Sequence, residues 1–178
     1  METSTEKQTQ APQTIADALD KFVLAVGSVM CWGAAVLIAV IILQVVLRYG
    51  FGHGLVLLEE LQWHLYAVGV MFGLSYAQVK DSHIRVDIFH MGLSERTKRI
   101  FEIVGILIFL VPFIWIVFAH SIDFLYDSLR INERSDAPSG LPWRWAVKSV
   151  IPISFGMLAL ATLSRLIRDV AFLRQKNG

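Results

Sequence analysis

From Phe22 to Leu47 the chain reads FVLAVGSVMCWGAAVLIAVIILQVVL, without one charged side chain. A bilayer core of about 30 Å takes roughly 20 helical residues to cross, so this stretch is long enough to span it. It is too long for the apolar core of a signal peptide and has no convincing cleavage site, so it reads as a retained helix. Gln44 is its one strongly polar side chain. Arg48-Tyr49 closes it as an interface marker, since an Arg head reaches lipid headgroups and a Tyr ring sits well at that depth. Cys31 lies within the run as the lone cysteine. It can form no internal disulfide and belongs to no zinc or haem-attachment pattern, so it reads as a small packing residue.

Three further apolar stretches follow, at about 55–79, 100–119 and 145–167. The chain is 55% hydrophobic and 17% charged, with a mean hydropathy of +0.57. Ordinary soluble domains have about 25% charged residues. A net charge of +1 argues against nucleic acid as a partner, because such binders present a basic face. The expected fold is all-α, an integral membrane protein of four transmembrane helices plus a short interfacial helix between spans two and three. Residues 1–18 read as a flexible cytoplasmic tail, with an amphipathic entry around Ile15 and Leu19. Residues 19–170 form the four-helix membrane domain and 171–178 a second tail.

The second span is the most informative. Glu59 and Glu60 open it, close across the Gly-rich GFGHG turn from Arg48. Carboxylates at bilayer depth are costly, less so near the interface. Two placements fit: a pair between Arg48 and Glu59 or Glu60, or solvated carboxylates at headgroup depth. Along one face lie Glu59, Gln62, Tyr66, Gly69, Gly73 and Ala77, at steps of three or four. Small residues let backbones approach, and polar groups bond across helices. That face packs either within this chain or against another protein.

The 80–99 linker is the most charged segment. Ile84, Ile88 and Met91 share a helical face in it, which predicts a helix along the membrane surface. Ser94 is placed to cap the next helix, and Pro112 predicts a kink in span three. The loop LRINERSDAPSGLP is forced to turn by Pro138, Gly140 and Pro142. Trp143 and Trp145 follow as an aromatic belt. With four spans, both termini and the middle linker share one side. Of the Lys and Arg side chains, eleven fall on that side and five on the other, namely Arg48, Arg130, Arg134, Arg144 and Lys148. The positive-inside rule puts both termini in the cytoplasm.

No catalytic set is visible. The chain lacks a Gly-rich phosphate loop, G-x-S-x-G and H-E-x-x-H, so it does not read as an enzyme, and no metal or cofactor site is expected. His64 and His120 fall at similar expected depth, so a bis-His haem site is the one redox alternative. A proton relay through Glu59, Glu60 and His64 lacks ionisable groups through the rest of the span. A freestanding membrane adaptor or sensor is a third reading.

The order of these features resembles a known family. A charge-free span ends in Arg48-Tyr49, and Glu59-Glu60 opens the next. Gly73-x-x-x-Ala77 precedes His83-Ile84-Arg85-Val86-Asp87, and APSGLPWRW leads into a last span with Ile151-Pro152. This is similar to the small, DctQ-like membrane subunit of tripartite ATP-independent periplasmic (TRAP) transporters, over about 19–167. The resemblance implies sodium-driven import of organic acids across the bacterial inner membrane. Its implied partners are a large elevator-type membrane subunit, a periplasmic substrate-binding protein and membrane lipids. It implies a scaffold role for this chain. Arg48, Glu59, Glu60 and Trp63 would orient the outer end, and His83, Arg85 and Asp87 the cytoplasmic linker.

Overall fold

The computed structural model describes residues 4–80 and 94–175, with side chains over 13–80 and 94–174. Among these residues the regular elements are all helices, with no strand. Helix α1 runs Ser4–Gly50 and α2 runs Val56–Val79. Helix α3 runs Glu95–Arg130. It is α-helical over Glu95–Gly105, opens into a π-turn over Ile106–Leu110, and is α-helical again over Val111–Arg130. Helix α4 runs Arg144–Gln175. The segments Gln13–Gly50, Glu95–Arg130 and Arg144–Arg174 are long and apolar enough to cross a membrane. The surface helix expected between spans two and three, with His83, Arg85 and Asp87 in the same stretch, lies outside the described residues.

Helix α3 shows how local chemistry sets these elements. Ser94 has extended backbone, and its Oγ accepts the Thr97 N–H at 3.2 Å. That satisfies one of the donors every helix N-terminus leaves open. Pro112 has no N–H, and its ring crowds the carbonyl four residues back. The chain answers with the π-turn just before it, where the Val111 N–H reaches back to the Ile106 carbonyl. The kink expected at Pro112 is thus a local widening of the helix.

The N-terminal segment corrects the sequence expectation. Helix α1 begins at Ser4, so most of the stretch expected as a loose tail is continuous with the first span. The inward face is also different. Ala16, Asp20 and Val23 are buried, whereas Ile15 is exposed. The reason lies across the interface: Ser164 on α4 donates to the Ala16 carbonyl at 3.0 Å, and only a small residue allows that approach.

Helix α4 is the hub, touching α1, α2 and α3. Val23, Phe72, Met157 and Ala161 join α1, α2 and α4 in one core. Ile114, Phe155 and Leu158 join α3 to α4 in a second, with Phe113 edge-on to Phe155 at 5.7 Å. Helices α1 and α2 meet closely at Gly27, where an added Cβ would lie 2.8 Å from the Tyr76 ring. Several other hydroxyls inside the bundle bond back to their own helix. Ser75, Ser121 and Ser154 donate to the carbonyl three residues earlier, and Thr162 to the one four earlier. This leaves fewer unsatisfied polar groups where no water reaches.

Candidate functional site

At the end of the bundle that carries the 51–55 turn, the polar residues of spans one and two are spent on joining elements. Gln44 is only 5% exposed, and a buried amide needs partners. Its Nε2 donates to Glu59 Oε1 at 3.2 Å, and its Oε1 accepts the Leu55 N–H at 3.3 Å. Gln44 therefore caps α2 from α1, supplying the side-chain cap that Leu55 cannot. Arg48 lies 3.5 Å from Glu59, so that carboxylate is paired and at the same time open to solvent. The pair is half exposed, so by itself it contributes no more than about 1 kcal/mol; the amide between them fixes the geometry.

Glu60 does something the sequence did not suggest. It turns away from Arg48 and holds the loop between α3 and α4. Ser135 Oγ donates to Glu60 Oε1, and the Leu141 N–H donates to Oε2 at 2.5 Å. Around this carboxylate the loop closes on itself. Ala137 N–H donates to Ser135 Oγ at 3.2 Å, Gly140 N–H to the Ala137 carbonyl at 3.0 Å, and Ser135 N–H to the Leu141 carbonyl at 3.3 Å. Gly140 is required by contact: a Cβ there would lie 2.5 Å from Ser135 Cβ and 2.8 Å from Glu60 Oε1.

The base of the loop is fastened separately. Lys148 Nζ bonds Glu133, and sits 3.8 Å from the centre of the Phe124 ring. Arg144 lies 3.1 Å from Asp136 and 3.7 Å from Glu133. The Lys148 hydrogen bond, helped by the nearby charges of Lys148 and Arg144, holds the Glu133 carboxyl below the usual carboxylate range.

The opposite end carries a second set of ion pairs. Asp169 on α4 is 0% exposed, with Arg99 Nη1 at 2.5 Å and Arg165 Nε at 3.4 Å. Arg165 also reaches Glu102 at 2.8 Å. Arg168 pairs with Asp17 at 2.7 Å and Asp20 at 2.5 Å. Three helices are clasped here by alternating charges, and none of these acids stands out in the sequence. The available signal was Arg165 and Asp169 one turn apart on a helix leaving the apolar phase.

Helix α2 has two different faces. One, with Phe72 and Ser75, is buried in the bundle. The other is open. Trp63 is 73% and Tyr66 57% exposed, and nothing lies within 4 Å of a Cβ built on Gly69 or Gly73. Among the described residues, nothing packs on the small-residue face at the two glycines. Ala77 is half-buried. His64 Nδ1 lies 2.6 Å from the Glu60 carbonyl oxygen, and His120 Nδ1 2.9 Å from that of Ile116, so each ring is tied to its own helix. His83, Arg85 and Asp87 lie outside the described residues.

The site is thus a set of helix-joining contacts at both ends and one unoccupied helix face, the composition of a part that assembles with others. A family model described as tripartite ATP-independent periplasmic transporters, DctQ component, matches residues 37–172. No curated protein is similar enough to match. The matched span holds Gln44, Arg48, Glu59, Glu60, the open face of α2, the 131–143 loop and the Asp169 clasp. It is a family of transporter components, not of enzymes, and the apolar helices make the chain a multi-pass membrane protein. The chain belongs to the DctQ component family of the tripartite ATP-independent periplasmic transporters.

Proposed function

We propose that this chain is the small, non-catalytic scaffold subunit of a sodium-driven TRAP transporter that imports organic acids. Helix α2 is the fourth membrane span: its 24 residues reach about 36 Å, enough to cross the core. Both termini face the cytoplasm of a bacterial inner membrane, and the Glu60-held loop faces the periplasm. The large membrane subunit carries substrate and sodium, and a periplasmic binding protein delivers the substrate. This chain steadies the stationary wall.

The observation that carries this reading is the open face of α2. Its Trp63, Tyr66, Gly69 and Gly73 face has no partner among the described residues, and its outer half carries Glu59, Glu60, Gln62 and His64. Lipid rewards neither a polar outer half nor bare glycines. A second protein surface rewards both, through close backbone approach and hydrogen bonds. At its outer end Gln44 and Glu60 fasten α2 to α1 and to the α3–α4 loop, which sets the direction of that face. The experiment is co-purification and transport. The chain should bring down a large hydrophobic partner from detergent extracts. Alone in liposomes it should drive no uptake. Sodium-dependent uptake by the purified chain alone overturns the scaffold reading.

A further inference from the structure

Beside the Ile114–Phe155–Leu158 core, α3 and α4 part to leave an apolar groove of about 400 Å³. Val111, Trp115 and Phe118 form one wall; Gly156, Ala159 and Leu163 stand on the other. Thr162 also lines it, but its hydroxyl is spent on the Leu158 carbonyl at 2.7 Å. The groove therefore offers its occupant no hydrogen bond.

Size decides what that occupant is. A helix about 10 Å across fills 400 Å³ in roughly one turn. The groove extends about 10 Å along α3, from Val111 to Phe118, so a helix cannot lie in it along its length. A single hydrocarbon chain, far thinner, can. Below the groove, α4 carries exposed residues in line with it. Leu166 lines its lower end, and Val170 and Arg174 follow at helical spacing. Val170 is partly exposed, and Arg174 is exposed with no ion pair among the described residues. From Arg174 to Ala159 α4 rises about 22 Å. One leaflet measures about 15 Å of hydrocarbon plus about 6 Å of headgroup. The whole α4 lining, Leu166 to Gly156, lies about 12 to 27 Å from Arg174, a range that includes the depth of one leaflet.

We infer that the α3–α4 groove holds one acyl chain of an anionic phospholipid, from the leaflet on the side of the α4 C-terminus, with the lipid phosphate at Arg174. The inference depends on α3 and α4 crossing the membrane, not on which subunit lies against α2.

The test is native mass spectrometry of the full chain released in mild detergent from vesicles of mixed phosphatidylglycerol and phosphatidylcholine. One lipid should stay bound, phosphatidylglycerol favoured about fivefold over phosphatidylcholine. Ala159→Phe fills the floor, and Leu163→Trp fills the groove from its exposed lip with less risk to folding. Each should lower the lipid-bound fraction about tenfold. Arg174→Gln should keep the lipid and lose the preference for phosphatidylglycerol. Equal retention in wild type and a folded groove variant, meaning an annular lipid only, overturns the inference. So does loss of the large subunit from a groove variant that keeps its lipid. An unchanged headgroup preference in Arg174→Gln overturns the assignment of the phosphate.

Discussion

Glu60, in the first turns of α2, accepts the backbone N–H of Leu141 at 2.5 Å across a sequence separation of 81. This contact makes the α3–α4 loop part of the bundle rather than a tether. The same carboxylate takes the Ser135 hydroxyl, so a single side chain orders both ends of the SDAPSGL turn.

Glu60→Ala should release that turn. Amide exchange over 135–141 should quicken several-fold, while exchange in the α2–α4 core stays as in wild type. Gly140→Ala should do the same by the opposite route, because its methyl collides with Ser135 and Glu60. Unchanged exchange in both variants would mean that the carboxylate does not hold the loop.

The loop base should respond to acid. Glu133 is held below the ordinary carboxylate range, chiefly by Lys148. A carboxylate with a depressed folded-state pKa adds stability that is fully present above its unfolded value of about 4.3. That contribution is lost as pH falls through the lower folded-state value. Exchange over 131–143, corrected for intrinsic rate, should therefore be flat from neutral pH to about pH 5 and rise below about pH 4. Glu133→Gln should weaken the loop already at neutral pH and flatten the acid step.

The tail-end clasp should be worth more than its surface neighbours. Asp169→Ala leaves Arg99 without its buried acceptor and Arg165 without a buried counter-charge. The expected loss is about 2–3 kcal/mol of thermal stability. Asp17→Ala breaks an exposed pair with Arg168, which keeps Asp20. It should cost less than about 1 kcal/mol. Equal melting temperatures for the two variants would show that burial does not decide the strength of this network.

The sequence was readable where the cause is local. Charge-free runs, the Ser94 cap and the disturbance at Pro112 follow from neighbours within a turn or two. The GFGHG turn narrowed the partner of Arg48 to Glu59 or Glu60 and did not decide between them. What could not be read depends on distant contacts. Nothing near Glu60 indicates Leu141, and nothing near Gly27 indicates the Tyr76 ring. Asp20 and Asp169 look like solvated charges until α1 is seen to continue along α4. The inward face of α1 was misjudged for the same reason: hydropathy favours Ile15, but contact with Ser164 selects Ala16.

Among the glycines within helices, Gly27→Leu should be the most disruptive replacement. The side chain must displace Tyr76, and overpacking of this kind costs about 1–3 kcal/mol. Gly33→Leu should be silent in the isolated chain, because nothing lies within 4 Å of its Cβ position. Detergent melting curves of the two variants check this directly.

The central claim is that the open face of α2 is a subunit interface, and Gly73→Leu tests it most directly. The purified chain alone should melt at the wild-type temperature, since the added side chain meets nothing in this bundle. Co-expressed with the large subunit, the same variant should lose most of the recovered complex. Wild-type recovery of the complex with Gly73→Leu in place would contradict the account, because a face that accepts leucine at its centre is turned to lipid.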